Sequence, residues 1–187
     1  MNRVIPWLRA LQLSAALVVI YLTLKLIQSQ VMGTASAITR FASCSGVFGL
    51  ISAVLGLWSL LSTYLDPLTP VLFDVLAGIL FLAGGIASAL ALYGIDNCNL
   101  YDEMLHSPLL NEGSTGSGSD RRYGVVAKHD DESRVFRKLR TNCRRAQVGM
   151  TFQFISLAIV TGLLVLAYRQ RKRAKAMAVG VLRYAAD

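Results

Sequence analysis

Phe41–Leu65, FASCSGVFGLISAVLGLWSLLSTYL, runs 25 residues without a single charge, and that length decides the fold class. About 20 apolar residues in a helix cross the roughly 30 Å of hydrocarbon in a bilayer. Two further stretches meet the same requirement, Val75–Ile95 and Val148–Tyr168, each of 21 uncharged residues. The first apolar stretch, Ala10–Leu24, has only 15 uncharged residues before Lys25, but Leu26 and Ile27 follow. The flexible stem of Lys25 carries its ammonium to the interface. None of the four runs alternates apolar with polar residues at a period of two, so a membrane barrel is excluded and helices remain. The chain is therefore expected to be an all-α integral membrane bundle of four helices near 10–27, 41–65, 71–95 and 148–168. Residues 1–9 form a short N-terminal tail, 96–147 a long loop and 169–187 a basic C-terminal tail. Four spans put both termini on the same side.

Composition points the same way. Of 187 residues 54% are hydrophobic and 16% charged, with a mean hydropathy of +0.50, so most apolar side chains must face lipid or other helices rather than one water-excluded core. Arg3 and Arg9 ahead of an apolar stretch, with Ala35-Ser36-Ala37 beyond it, resemble a secretory signal. The stretch is long for such a signal, and the polar segment Lys25–Gln30 separates it from the small residues, so a retained membrane helix fits better.

The connections differ in length. Gln28–Arg40 is short and polar, and Ser62–Pro70 is a turn in which Asp66-Pro67 and Pro70 stop one helix and start the next. Residues 96–147 hold nine basic and eight acidic residues around a Gly/Ser-rich centre, Gly113–Ser119, expected to be flexible.

The net charge of +8 comes mostly from the ends. Five of the seven residues from Arg169 to Lys175 are basic: Arg169, Arg171, Lys172, Arg173 and Lys175. Such a run beside a span is first a topogenic flank, which with Arg3 and Arg9 argues for cytoplasmic termini. It also suits contact with anionic lipid, where each basic residue near the surface contributes about 1 kcal/mol. No aromatics are interleaved and the run abuts a membrane, so the pI near 9.8 is not the footprint of a nucleic-acid partner. Against this orientation, Arg134, Arg137, Lys138, Arg140, Arg144 and Arg145 also lie close to a span and would be outside.

Cys44 falls within the second span and is expected to remain a buried thiol. Cys98 and Cys143 bracket the long loop. Their placement suggests a disulfide closing it, which requires an oxidising compartment; the alternatives are two unrelated interfacial cysteines or an acylation site.

Small residues recur at four-residue spacing, Ser45, Gly49 and Ala53 in the second span and Gly84, Ser88, Gly85 and Ala89 in the third, with Ser52 and Gly56 alongside. They let helix backbones approach closely, either within the chain or between copies in a homo-oligomer. Asp74 is the one acid within an apolar span. Intramembrane carboxylates are functional candidates, here for transport, but a place in the first turns of the third helix also suits an anion. Lys25 lies roughly 25 Å away in depth at 1.5 Å per residue and is no partner for it.

Catalysis finds no footing. His106 and His129 lack metal-ligand spacing, and no phosphate cradle or nucleophile elbow is present, so no catalytic residue, metal or cofactor is expected. Tyr101-Asp102-Glu103-Met104 and Tyr123-Gly124-Val125-Val126 match a short tyrosine-based sorting pattern that acts only on the cytoplasmic side.

Four spans, Asp74 early in the third, Asn97-Cys98 after it and Cys143-Arg144-Arg145-Ala146 leading into the fourth together resemble the MARVEL-domain tetraspan proteins, particularly their fungal branch, over roughly Pro6 to Arg169. The paired first-loop cysteines of claudin-like folds and the Cys-Cys-Gly of tetraspanins are absent. The Gly/Ser-rich loop centre is longer than the family pattern. The resemblance implies a non-enzymatic role in membrane organisation, trafficking or membrane apposition, in the plasma membrane or a secretory-pathway membrane, with cytoplasmic termini and a Cys98–Cys143 bridge. The partners expected are the bilayer, including anionic lipids, and other membrane proteins or further copies of the chain. The competing reading is a small transporter or channel using Asp74.

Overall fold

The computed structural model describes residues 4–33, 36–61, 68–95, 98–107, 109–116, 121–128 and 131–184, without the side chains of 174, 175 and 177–184. Its elements, in chain order, are α1 (Val4–Gln28), α2 (Ala37–Leu61), α3 (Leu68–Ala91), α4 (Tyr101–His106), β1 (Ser114–Thr115), β2 (Arg122–Tyr123), α5 (Gly124–Lys128) and α6 (Glu132–Tyr184). Among the described residues four helices are long and apolar enough to cross a membrane: α1, α2, α3 and, within α6, residues 132–173. The neighbours around the bundle are α1 with α2, α2 with α3, α3 with α6 and α6 with α1. The turn expected at Asp66-Pro67 lies outside the described residues. Pro70 sits in the first turn of α3, where its missing N–H leaves no intrahelical bond unmade.

Helix bounds depart from the apolar runs, and α3 stops at Ala91 rather than at 95, with Gly94 at a φ of 86° in the turn that follows. α1 begins at Val4 and α2 at Ala37, because residues with amphipathic or polar tips, Trp7, Arg9 and Arg40, continue the helical backbone into the interface. The larger correction concerns 96–147. Glu132–Gln147 is not loop but the first 16 residues of α6, continuous with the fourth span. Val135, Leu139, Cys143 and Ala146 recur at three to four residues on one buried face there, which gives a charged segment an apolar stripe to fold on.

That stripe is the floor of a cap at one end of the bundle. Leu26, Leu92 and Ile95 from the bundle meet Met104, Leu110, Val125, Val135, Leu139 and Cys143 in one apolar cluster. The centre of the cap is also more ordered than its glycines and serines suggest. β1 and β2 pair antiparallel, Ser114 opposite Tyr123 and Thr115 opposite Arg122, and Gly113 adopts a φ of 93° that favours glycine. Residues 117–119 of that Gly/Ser run lie outside the described part. The α1–α2 connection docks on the cap through Val31 N–H and Met32 N–H, which donate to Glu112 C=O at 2.9 and 3.2 Å. The Glu112 carboxylate is buried, accepting from Lys138 Nζ and Asn142 Nδ2, each at 3.4 Å. A disulfide joins Cys98 to Cys143, Cα atoms 5.8 Å apart, and ties the start of the cap to its α6 floor.

Candidate functional site: an ion pair inside the bundle

At the end of the bundle opposite the cap, α1 and α3 both begin, so they run in the same direction and equivalent turns share a depth. Arg9 in the second turn of α1 and Asp74 in the second turn of α3 therefore face each other. The guanidinium grips the carboxylate with two bonds, Nη1 to Oδ1 and Nη2 to Oδ2, each 2.6 Å. Ser52 Oγ of α2 donates to Asp74 Oδ1 at 2.5 Å, and Gln12 Oε1 accepts from Arg9 Nη1 at 2.9 Å. Gln12 Nε2 in turn reaches Ser52 Oγ at 3.4 Å. Arg9 and Asp74 are only 6% and 2% exposed. Paired this way, neither charge is left bare in a low-dielectric interior, whereas removing one partner would strand the other.

The backbone makes room for this clasp. A Cβ at Gly56 would overlap the Arg9 guanidinium, so only glycine lets that group lie against α2. Trp7, Trp58 and Tyr168, all strongly exposed, stand on α1, α2 and α6 near this end and mark the headgroup level preferred by such rings. Ser52 lies six residues inside Trp58, and Asp74 six residues beyond Leu68, or about 9 Å into the bundle at 1.5 Å per residue. An open cleft lies beside the clasp, lined by Arg9, Ser59, Asp74 and Gln170 and by apolar residues of all four spans.

The other expected positions fall as follows. Ser45, Gly49, Ala53, Gly84, Gly85 and Ser88 are buried between helices. The Phe81 ring of α3 fills the space where a Gly49 side chain would stand, and a Cβ on Gly84 would come within 2.9 Å of Gln153 Oε1 on α6. Ala89 is a correction: it is exposed, because it lies on the outward face of α3 with Leu82 and Ile86. The Cys44 thiol is free and lies on the outer face of α2, toward lipid rather than between helices. Lys25 is exposed, with Nζ 5.9 Å from the Tyr21 ring centroid. Arg169, Arg171, Lys172 and Arg173 are exposed on α6, while the Lys175 side chain lies outside the described part.

In the first sorting-type tetrapeptide Met104 is fully buried; in the second, Tyr123 packs edge-on to His106, 5.8 Å between centroids. The first lies in α4, and the second passes from β2 into α5, so neither is a free segment. His106 Nδ1 lies 2.7 Å from Asp102 O, and His129 is outside the described residues. Burial, then the nearby Glu132 and Asp102 carboxylates, push the Tyr101 phenol above its ordinary pKa of 10.0. Among the described residues no three His, Cys, Asp or Glu side chains gather to hold a metal.

Sequence reading singled out Asp74 but missed Arg9 as its partner. The signal was available: helices one and three of an up-down bundle run in parallel, so a base and an acid early in each share a depth. No curated protein and no solved structure matches the chain. A family model, MARVEL, described as a membrane-associating domain, matches residues 5–166, which take in most of all four spans, both members of the ion pair and both bridged cysteines. With most of its length matched and a four-helix membrane bundle as its fold, the chain belongs to the MARVEL family.

Proposed function

We propose that this protein is a non-enzymatic scaffold in membrane organisation, trafficking or membrane apposition. One observation carries the reading: both Asp74 oxygens are engaged, by Arg9 and by Ser52. A carboxylate that relays protons or binds passing cations must exchange partners, and a two-point grip by an arginine with Ser52 added opposes that. The acid then serves to hold α1, α2 and α3 in register. Packing supports a bundle closed within one chain, since the glycine gaps of α2 and α3 are filled by Phe81, Gln153 and other residues of the same chain.

The termini are cytoplasmic in this reading and the cap lies outside, where an oxidising environment sustains the Cys98–Cys143 bond. The exposed bases from Arg169 to Arg173 face the cytoplasmic leaflet, and with Lys175 they hold the tail to anionic lipid. The membrane is the plasma membrane or one of the secretory pathway. Thiol labelling of intact and permeabilised cells tests the orientation. Cys98 and Cys143 label only after reduction, and from outside; labelling without reductant that needs permeabilisation reverses the topology.

The cleft beside Asp74 favours a second reading, a small transporter or channel. Reconstitution in liposomes separates the two. The scaffold gives no ion or solute flux, and flux that disappears with Asp74→Asn sinks it.

A further inference from the structure

The cleft at the tail end of the bundle has the composition of a lipid seat rather than of a conduit. It has a volume of about 290 Å³, close to the lower end of the range of small-molecule sites. One wall is apolar, with Leu60, Val71 and Ala167, and its polar groups include Arg9, Ser59 and Gln170. Arg9 spends Nη1 and Nη2 on Asp74, yet its Nε–H is buried and donates to nothing among the described residues. That atom lies against Gly56 of α2 with essentially no accessible surface, so the clasp forms the inner end of the cleft and the polar contact open to a ligand is the exposed Gln170 amide.

Charge selects the class of ligand. The Asp74 carboxylate is already matched by the guanidinium, and Ser59 Oγ donates to Gly56 C=O at 2.8 Å. Around the mouth, Gln170 stands between Arg169 and Arg171, with Lys172 and Arg173 one turn beyond, all exposed. The surrounding potential is positive, and a cation is repelled by the arginine that already holds the acid. Depth completes the case: Trp7, Trp58 and Tyr168 place this end of the bundle at the headgroup level.

We propose that the cleft seats the phosphate of an anionic phospholipid. A phosphate oxygen accepts from the Gln170 amide, beside the exposed bases of α6, and the glycerol and first acyl carbons lie against the apolar wall. The site is distinct from diffuse attraction of the basic tail and holds whether the protein is a scaffold or a transporter.

The test uses the full chain in a maltoside detergent, which carries no phosphate, with native mass spectrometry and thermal unfolding as readouts. The probes are dioctanoyl phosphatidic acid, dioctanoylglycerol and inorganic phosphate. Phosphatidic acid binds at least about tenfold more tightly than either other probe. Ala167→Phe fills the cleft without touching the clasp and abolishes that preference; Val71→Phe does the same from α3, should the first variant fail to fold. Neutralising the tail, Arg169→Gln with Arg171→Gln, Lys172→Gln and Arg173→Gln, lowers affinity but retains the preference. Unchanged binding in both filled variants overturns the proposal, as does equal binding of dioctanoylglycerol or of inorganic phosphate. Binding lost on tail neutralisation and kept in the filled variants assigns the lipid to the tail alone, and also overturns it.

Discussion

In α3 the large residues Leu72, Ile79, Leu82 and Ile86 point away from the bundle, and the interior is left to Ala77, Gly78, Phe81, Gly84, Gly85 and Asp74. In the cap the order is reversed. Met104, Leu110, Val125 and Leu139 are fully or almost fully buried, and the charged side chains of Arg137, Arg140 and Arg144 are outside. The difference follows from the solvent. Lipid offers no hydrophobic reason to hide a leucine, so the bundle coheres by close backbone approach and by polar groups that have no better partner. Water supplies that reason, so the cap has an ordinary apolar core, tied by one disulfide. A substitution should therefore be judged by which rule governs its region, and four experiments press on that contrast.

The largest effect is expected where the bundle depends on charge. Arg9→Ala leaves the Asp74 carboxylate buried without its cation and costs about 3–5 kcal/mol. The double variant Arg9→Met with Asp74→Leu should recover most of that loss. Thermal unfolding in detergent reads both, and a double variant no better than the single would show that the pair acts through more than its own charges.

Next comes the cap's covalent tie. Replacing Cys98 and Cys143 by serine frees a loop of sequence separation 45 and lowers stability by about 3–4 kcal/mol in the chain-entropy model. Exchange of cap amides should rise on that change while α2 and α3 stay protected. Uniform loss of protection would mean that cap and bundle unfold as one unit.

A smaller cost, about 1–3 kcal/mol, is expected for Gly49→Leu, which forces the Phe81 ring from its place between α2 and α3. The same exchange of small for large at outward-facing Ala89 should leave the melting temperature nearly unchanged. Equal damage at both sites would show that the outer face is also an interface, between copies of the chain.

The mildest prediction is a titration. Because the Tyr101 pKa lies above 10.0 in the folded cap, the folded state holds this proton more tightly than the unfolded chain. Its contribution is intact below pH 10 and is lost as pH rises through the folded value. Absorbance titration of the wild type against Tyr101→Phe should show the missing phenol ionising above its ordinary value of 10.0.

How legible these regions were in the sequence also follows the solvent. The spans could be read directly, because a run such as Val75–Ile95 is set by bilayer thickness and needs no partner to be recognised. Small residues at four-residue spacing indicated the packing faces, and failed only at Ala89, where the four-residue step carries the pattern round onto the outward face of α3. The cap was harder. Glu132–Gln147 carries so many charges that its stripe of Val135, Leu139, Cys143 and Ala146 is masked in any average of hydropathy, and the charges marked it as loop. Glu112 gave no sign that its side chain would be buried, since its partners Lys138 and Asn142 come from 26 and 30 residues further on. Arg9 was hidden differently. Its position at the edge of an apolar run suits a topogenic flank, and only the parallel course of α1 and α3 exposes its second role.

α6 joins these two worlds without a joint. As one helix of 53 residues it extends about 80 Å at 1.5 Å per residue, with the cap floor at one end, the fourth span in the middle and the basic segment at the other. Helices are stiff along their axis, so a tilt or twist imposed on the basic segment is delivered to the disulfide-anchored floor of the cap as a lever delivers it. The two faces of the membrane are mechanically connected through a single rod.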